Sequence, residues 1–228
     1  MKKKVRINEK INLLIFTNKN EFISELIKIF NEQFLKYGIK NFLLPGGKTP
    51  IDFYIELSKQ NIDWSKITFA LTDERLLDDN YDNSEESNFS NVNRYLIKSI
   101  YKTIKPKFIH LPKSNKKYDQ STQKEFLKNF STFLGVGTDG HIASIFNDDY
   151  NENDEEIIFF TSKKHHKHFR VSWTLNSLLK SQAIFIILDG QEKKEIVDAI
   201  INSKLKSDMP YLKLLKNYKQ QIIVLWNK

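Results

Sequence analysis

The chain has 228 residues, 40% of them hydrophobic, and a formal net charge of +8 with a pI near 9.3. That length makes one large domain or two small ones with a sizeable core, and the charge favours anionic partners, either phosphorylated metabolites or nucleic acid. There is no cysteine, which excludes disulfides, thiolate metal sites and thiol catalysis, and no apolar run reaches the ~18 residues of a membrane span.

The first apolar run, Ile11 to Phe16, reads as a strand and is too short for a signal peptide, so a soluble cytoplasmic protein is expected. Asn18 to Asn20 offer caps for a helix from about Glu21 to Tyr37. In it Phe22, Leu26, Phe30 and Phe34 recur at spacing four and make one apolar face. Gly38 stands where a helix stop belongs. Asn41–Leu44 is a second strand. It runs into Pro45-Gly46-Gly47-Lys48-Thr49-Pro50, after which a helix through about Lys59 is expected, with Thr49 as its cap. Ile67–Leu71 is a third strand, ending in Thr72-Asp73-Glu74-Arg75. A polar loop, Asp78 to Asn88, leads into a helix over about Phe89 to Tyr101, and residues 105 to 121 read as a surface excursion.

Phe130–Leu134 is the next strand, and Ile142–Phe146 is apolar enough to begin a packed helix. Asp148 to Glu156 is acidic and reads as exposed. Glu156–Phe160 follows as a strand, then a basic loop from Lys163 to Lys167. Val171 to Leu179 suggests a short strand or turn followed by a helix. Ala183–Leu188 is apolar on both faces and reads as central in a parallel sheet. A helix over about Glu192 to Ile201 and a last strand, Ile222–Trp226, complete the pattern. Strands alternate with helices and no repeat or linker interrupts them. The expected fold is therefore one Rossmann-like α/β domain spanning 1–228, a mostly parallel sheet flanked by helices.

Three of the seven glycines lie within six positions, in Leu134-Gly135-Val136-Gly137-Thr138-Asp139-Gly140-His141. A strand, a glycine turn and a following segment make the usual ligand position at the carboxyl end of a parallel sheet. Asp139 and His141 are titratable and close enough to share one proton network. A capping Asp139 beside a packing His141 fits as well for a lone Asp-x-His, but a packing histidine needs no glycine loop. Gly46, Gly47, Lys48 and Thr49 put backbone N–H groups, an ammonium and a hydroxyl at a helix start, which suits an anion as well as a plain turn. Asp73-Glu74-Arg75, Arg170 and Lys193 taken singly read as surface charges. His165, His166 and His168 lie among lysines that repel a cation, so an exposed loop is expected there rather than a metal site.

Together these pieces resemble the 6-phosphogluconolactonase family. The resemblance runs through Pro45–Pro50, Asp63–Ile67, Asp73–Arg75 and Ser87-Asn88. It continues in the same order through Gly135–Ser144, Arg170–Ser172 and Gly190–Lys193, with the run from Asp139 to Ser144 the most specific. Position 45 is proline where that family often has serine or alanine, and position 48 is lysine where serine or arginine is common. Glucosamine-6-phosphate deaminases share the fold and an Asp-Gly-His. They carry Asn-Glu soon after it, where this chain has Ser144-Ile145-Phe146, and Asp-Glu-Tyr in place of Asp73-Glu74-Arg75.

The resemblance implies a glucosamine-6-phosphate deaminase-like fold and hydrolysis of 6-phosphoglucono-1,5-lactone in the oxidative pentose phosphate pathway, with no metal and no organic cofactor. It implies His141 as general base, supported by Asp139, with Arg75 at the oxyanion or a sugar hydroxyl. The phosphate would rest on Gly46, Gly47, Lys48 and Thr49, with Arg170 and Lys193 closing around it and Asp73 a further substrate contact. The expected partner is a phosphorylated sugar lactone rather than nucleic acid or membrane, and the expected assembly a monomer or weak homodimer. The alternatives are a deaminase or isomerase of the same fold, or a non-catalytic nucleic-acid-binding protein suggested by the +8 charge.

Overall fold

A computed structural model of the chain describes residues 2–77, 84–101, 104–114, 120–147, 156–162, 167–202 and 208–228. The apolar runs become strands β2 (Ile11–Phe16), β3 (Asn41–Leu44), β4 (Thr68–Leu71), β7 (Phe130–Gly135), β10 (Ala183–Asp189) and β11 (Ile222–Asn227). Among the described residues, eight strands form one sheet. With the edge strands β1 (Lys2–Arg6) and β6 (Lys107–Ile109), its order is β1-β2-β11-β10-β7-β3-β4-β6. Every pairing is parallel except β1 with β2. β10 lies between β11 and β7, and Ile184 to Leu188 are buried, as an apolar run without alternation requires.

Helix α1 (Lys19–Asn31) starts where Asn18 accepts the Glu21 N–H at 3.0 Å and continues through a π turn, Glu32–Lys36. Its apolar face enters the core: the Phe30 ring stacks on Phe42 at 4.4 Å, and Phe133 packs on Phe53 and Phe185 at 5.2 and 5.1 Å. Helix α2 (Ile51–Ser58) follows the double-glycine turn. Helix α3 (Asn88–Val92) with a π turn to Ile97 fills the expected 89–101 helix in part. No helix among the described residues is long and apolar enough to cross a membrane.

Several expectations are corrected. Ile142–Phe146 forms no helix: Ala143 takes a positive φ of 49°, and Ile142 bridges both Val136 and Ile145. The run buries its isoleucines through tight turns instead of a helical face. Thr49 does not cap α2. The Ile51 N–H turns back onto the Lys48 carbonyl at 3.2 Å, and Pro50 holds the cap position without a side-chain bond. Part of the supposed excursion from 105 to 121 is strand β6, which extends the sheet beyond β4. Helices α4 (Ser121–Phe126) and α7 (Pro210–Asn217) and the strand β1 had no counterpart in the reading. A second, antiparallel sheet also emerges, in the order β5 (Asp73–Arg75), β9 (Arg170–Trp173), β8 (Ile158–Phe160). Helix α5 (Leu175–Leu178) follows β9, and α6 (Lys194–Ile201) follows β10 through a 3-10 turn, Gln191–Lys193. The acidic stretch from Asp148, apart from Glu156, lies outside the described residues, as do the first part of the 78–88 loop and Lys163 to His166.

Candidate active site

Three connections leave the carboxyl ends of β3, β7 and β10 and meet the small sheet over one cleft of about 220 Å³. Gly46, Gly47, Thr49, Asp73, Arg75, His141, Arg170 and Lys193 all line it. Lys48 is exposed and Asp139 stands behind His141, so neither lines the cleft itself. The imidazole and the double-glycine turn, nearly a hundred residues apart, thus share one opening.

At the β3 turn, Gly47 has φ +79°, which a side chain would strain. A Cβ on Gly46 would fall 2.0 Å from the amide of Asn88, which packs in its place. Among the described residues, the N–H groups of Gly46, Gly47, Lys48 and Thr49 donate to no acceptor. These four open donors lie in the turn that leads into α2, ahead of its cap Pro50, and suit an anion.

In the β7 connection, Gly137 donates to the His141 carbonyl at 2.9 Å and Gly140 donates to Gly137 at 3.0 Å, which folds the loop back on itself. His141 Nδ1 then meets Asp139 Oδ1 at 2.5 Å. Partial burial pushes the Asp139 carboxyl up. The neighbouring ring, by charge and hydrogen bond, pulls it further the other way, to below the usual range. A carboxylate on Nδ1 fixes the proton there and leaves Nε2 as the basic nitrogen. Ser144, fully buried, closes the loop by donating to Asp73 Oδ2 at 2.6 Å.

Strand β5 alternates its side chains. Asp73 and Arg75 face the cleft, and Glu74 points the other way, into the start of α3. Asp73 also faces Arg170 Nη1 at 3.6 Å. Arg75 and Arg170 are register partners, so two guanidinium groups stand side by side. Burial draws the Arg170 guanidinium below its usual range, Asp73 opposes that, and Arg75 adds to it. The Nε atoms of both arginines are buried with no partner among the described residues. Adjacent cations with unused donors favour a bound anion. Lys193, just after β10, donates to the Val136 carbonyl at 2.8 Å while lining the cleft.

Glu74, read from the sequence among surface charges, is instead buried at 3% exposure. Its carboxyl accepts from the N–H groups of Arg75, Asn88 and Phe89 at 2.7–2.8 Å and from the Ser87 hydroxyl at 3.2 Å. Burial raises it from the usual 4.5 to about 7, against the pull of those backbone donors. The folded protein therefore holds a proton that the unfolded chain releases near 4.5. Its contribution to stability is fully present below that pH and is lost as pH rises through 7. The expected loss is on the order of 3 kcal/mol between pH 4.5 and 8. Glu74→Gln should change the level of stability but flatten that slope, and unfolding midpoints taken across the range will read it. An equal slope in both proteins would exclude Glu74 as its source.

Asn88, unlike Glu74, lines the cleft and donates through Nδ2 to the Asp73 carbonyl at 2.9 Å. Its only sequence signal was its place in the family resemblance. His168 pairs with Glu86 at 3.0 Å, and His165 and His166 fall outside the described residues.

A family profile described as "Glucosamine-6-phosphate isomerases/6-phosphogluconolactonase" matches residues 19–224. The chain belongs to this family. Among its relatives, a 6-phosphogluconolactonase of Thermotoga maritima is 30% identical over 181 residues, covering 76% of this chain and 80% of the relative. A 6-phosphogluconolactonase of Helicobacter pylori is 26% identical over 209 residues, covering 88% and 89%. The crystal structure of a 6-phosphogluconolactonase from Shewanella baltica superposes with a TM-score of 0.78 at 24% identity, covering 98% of this chain and all of that one. That likeness speaks to fold, and it matches the parallel α/β architecture expected of the family from the sequence.

Proposed function

We propose that this chain hydrolyses 6-phospho-D-glucono-1,5-lactone to 6-phospho-D-gluconate, the lactonase step of the oxidative pentose phosphate pathway. The observation that carries the reading is His141, paired with Asp139, opening on the same cleft as Gly46, Gly47 and Thr49 of the β3 turn, whose N–H groups are unused among the described residues. Relatives that cover most of the chain bear this enzyme's name.

In this reading the phosphate rests on the N–H groups of Gly46, Gly47, Lys48 and Thr49, with Arg170 and Lys193 supplying charge. Clamping the phosphate spends remote binding energy on placing the lactone carbonyl. His141 Nε2 takes a proton from water as the oxygen attacks that carbonyl. The Asp139 carboxylate holds Nδ1–H and stabilises the imidazolium. Arg75 faces the oxyanion. When the tetrahedral centre collapses, the bond to the ring oxygen breaks and the same proton returns to that oxygen. The run Ser144-Ile145-Phe146 stands where deaminases carry Asn-Glu, and Ser144 is already committed to Asp73. That run therefore offers no carboxylate beside His141 for ring opening. The protein acts as one domain across residues 1–228, on a small molecule and not on nucleic acid, in the cytoplasm, as a monomer or weak homodimer, without cofactor.

The test is base consumption on freshly generated lactone, with the spontaneous rate subtracted, beside ammonia release from glucosamine 6-phosphate. Lactone hydrolysis well above background is the expected result. Hydrolysis at the background rate, or ammonia release, overturns it.

A further inference from the structure

The loop that carries His141 continues to Phe146, whose ring lies 4.7 Å from the imidazole between centroids, with the planes 32° apart. The Arg170 guanidinium approaches the same ring, 5.7 Å from its centroid. Phe146 is 7% exposed and stands behind the cleft lining. One aromatic side chain is thus shared by the group read as the base and a group read as holding phosphate. A ring face is electron-rich and attracts a cation; here it adjoins a permanent one and the imidazolium formed during reaction.

Both neighbours need such support. The Asp139 bond at Nδ1 leaves the imidazole free to tilt about that contact. Arg170 reaches Asp73 at 3.6 Å, long for a hydrogen bond, and its Nε is unpartnered among the described residues. We propose that Phe146 is a positioning residue for both: it sets the plane of the His141 ring and seats the Arg170 guanidinium. The basic nitrogen and the anion site then keep a fixed separation. The inference rests on the lactonase reading and deepens it, since Phe146 touches no reacting atom and acts only through its two neighbours.

Phe146→Leu removes the ring and keeps an apolar side chain. It should lower kcat about 10- to 100-fold, as misalignments on the order of 1 Å do, and weaken 6-phosphogluconate binding several-fold. Phe146→Tyr, which keeps the ring, should restore most of both. In a His141→Ala background, assayed at high enzyme concentration above the spontaneous rate, the kcat penalty of Phe146→Leu should vanish. In an Arg170→Ala background its binding penalty should vanish too, because the partner is already gone. A kcat penalty that persists undiminished beside His141→Ala overturns the proposal, and so does unchanged product binding in Phe146→Leu. If the leucine variant does not fold, Phe146→Met takes its place in the same cycles. Wild-type protein that binds 6-phosphogluconate but leaves the lactone at its spontaneous rate sinks the lactonase reading instead. The Arg170 cycle then still decides the binding half of the proposal.

Discussion

Replacing His141 with alanine is expected to slow lactone hydrolysis by about two to four orders of magnitude while leaving KM nearly unchanged. The ring is the only imidazole lining the cleft among the described residues, and Asp139 at 2.5 Å holds its proton on Nδ1. In the proposed mechanism, removing it takes away both the acceptor for the water proton and the donor for the leaving ring oxygen. The phosphate cradle on the β3 turn lies on a different connection and keeps its N–H groups, so ground-state binding should survive. Steady-state kinetics corrected for spontaneous hydrolysis will separate kcat from KM. A variant that turns over within a few-fold of wild type would take His141 out of the mechanism. A large rise in KM with kcat intact would make it a binding residue instead.

The second large effect is expected at a residue with no side chain. A Cβ on Gly137 would fall 2.2 Å from Cε1 and Nδ1 of His141 and 2.5 Å from Asp139 Oδ1. Its backbone is not in the left-handed region, so alanine fits the main chain and the conflict falls on the pair. Gly137→Ala should therefore fold with a near-normal unfolding midpoint yet lose on the order of 100-fold in kcat, as expected for a base displaced by about an ångström. Wild-type turnover in this variant would mean that the observed packing of imidazole, carboxylate and glycine is not the one that reacts. A collapse of the unfolding midpoint would instead make Gly137 a folding residue.

The parts of the molecule visible from sequence are those whose cause is local. Ile11–Phe16 and Ala183–Leu188 are continuous apolar runs, and a buried parallel strand has that signature. The spacing of Phe22, Leu26 and Phe30 reports a helix face directly. The glycine cluster marked the His141 loop because a sharp fold-back is needed before a side chain two residues away can share its proton. The misreadings have non-local causes. Ile142–Phe146 is as apolar as a helix start, but Ser144 is drawn onto Asp73, seventy-one residues away, and Ala143 turns the backbone to permit it. The small sheet pairs Asp73–Arg75 with Arg170–Ser172, and no window of sequence contains both. Glu74 and Phe146 take their surroundings from residues they meet only in the fold, so a place in a motif or an apolar run does not show what they touch.

The edge strand β1 carries a consequence for how these molecules meet one another. Lys2, Lys3, Lys4 and Arg6 are exposed along a margin of the large sheet that is unpaired among the described residues, and the opposite margin, β6, is only three residues long and begins with Lys107. An unpaired strand invites a neighbour to extend the ladder, and a row of ammonium groups makes that approach electrostatically costly. The positive charge placed there is thus a safeguard against sheet-to-sheet polymerisation at the concentrations of a crowded cell, separate from the cations of Arg75, Arg170 and Lys193 in the cleft.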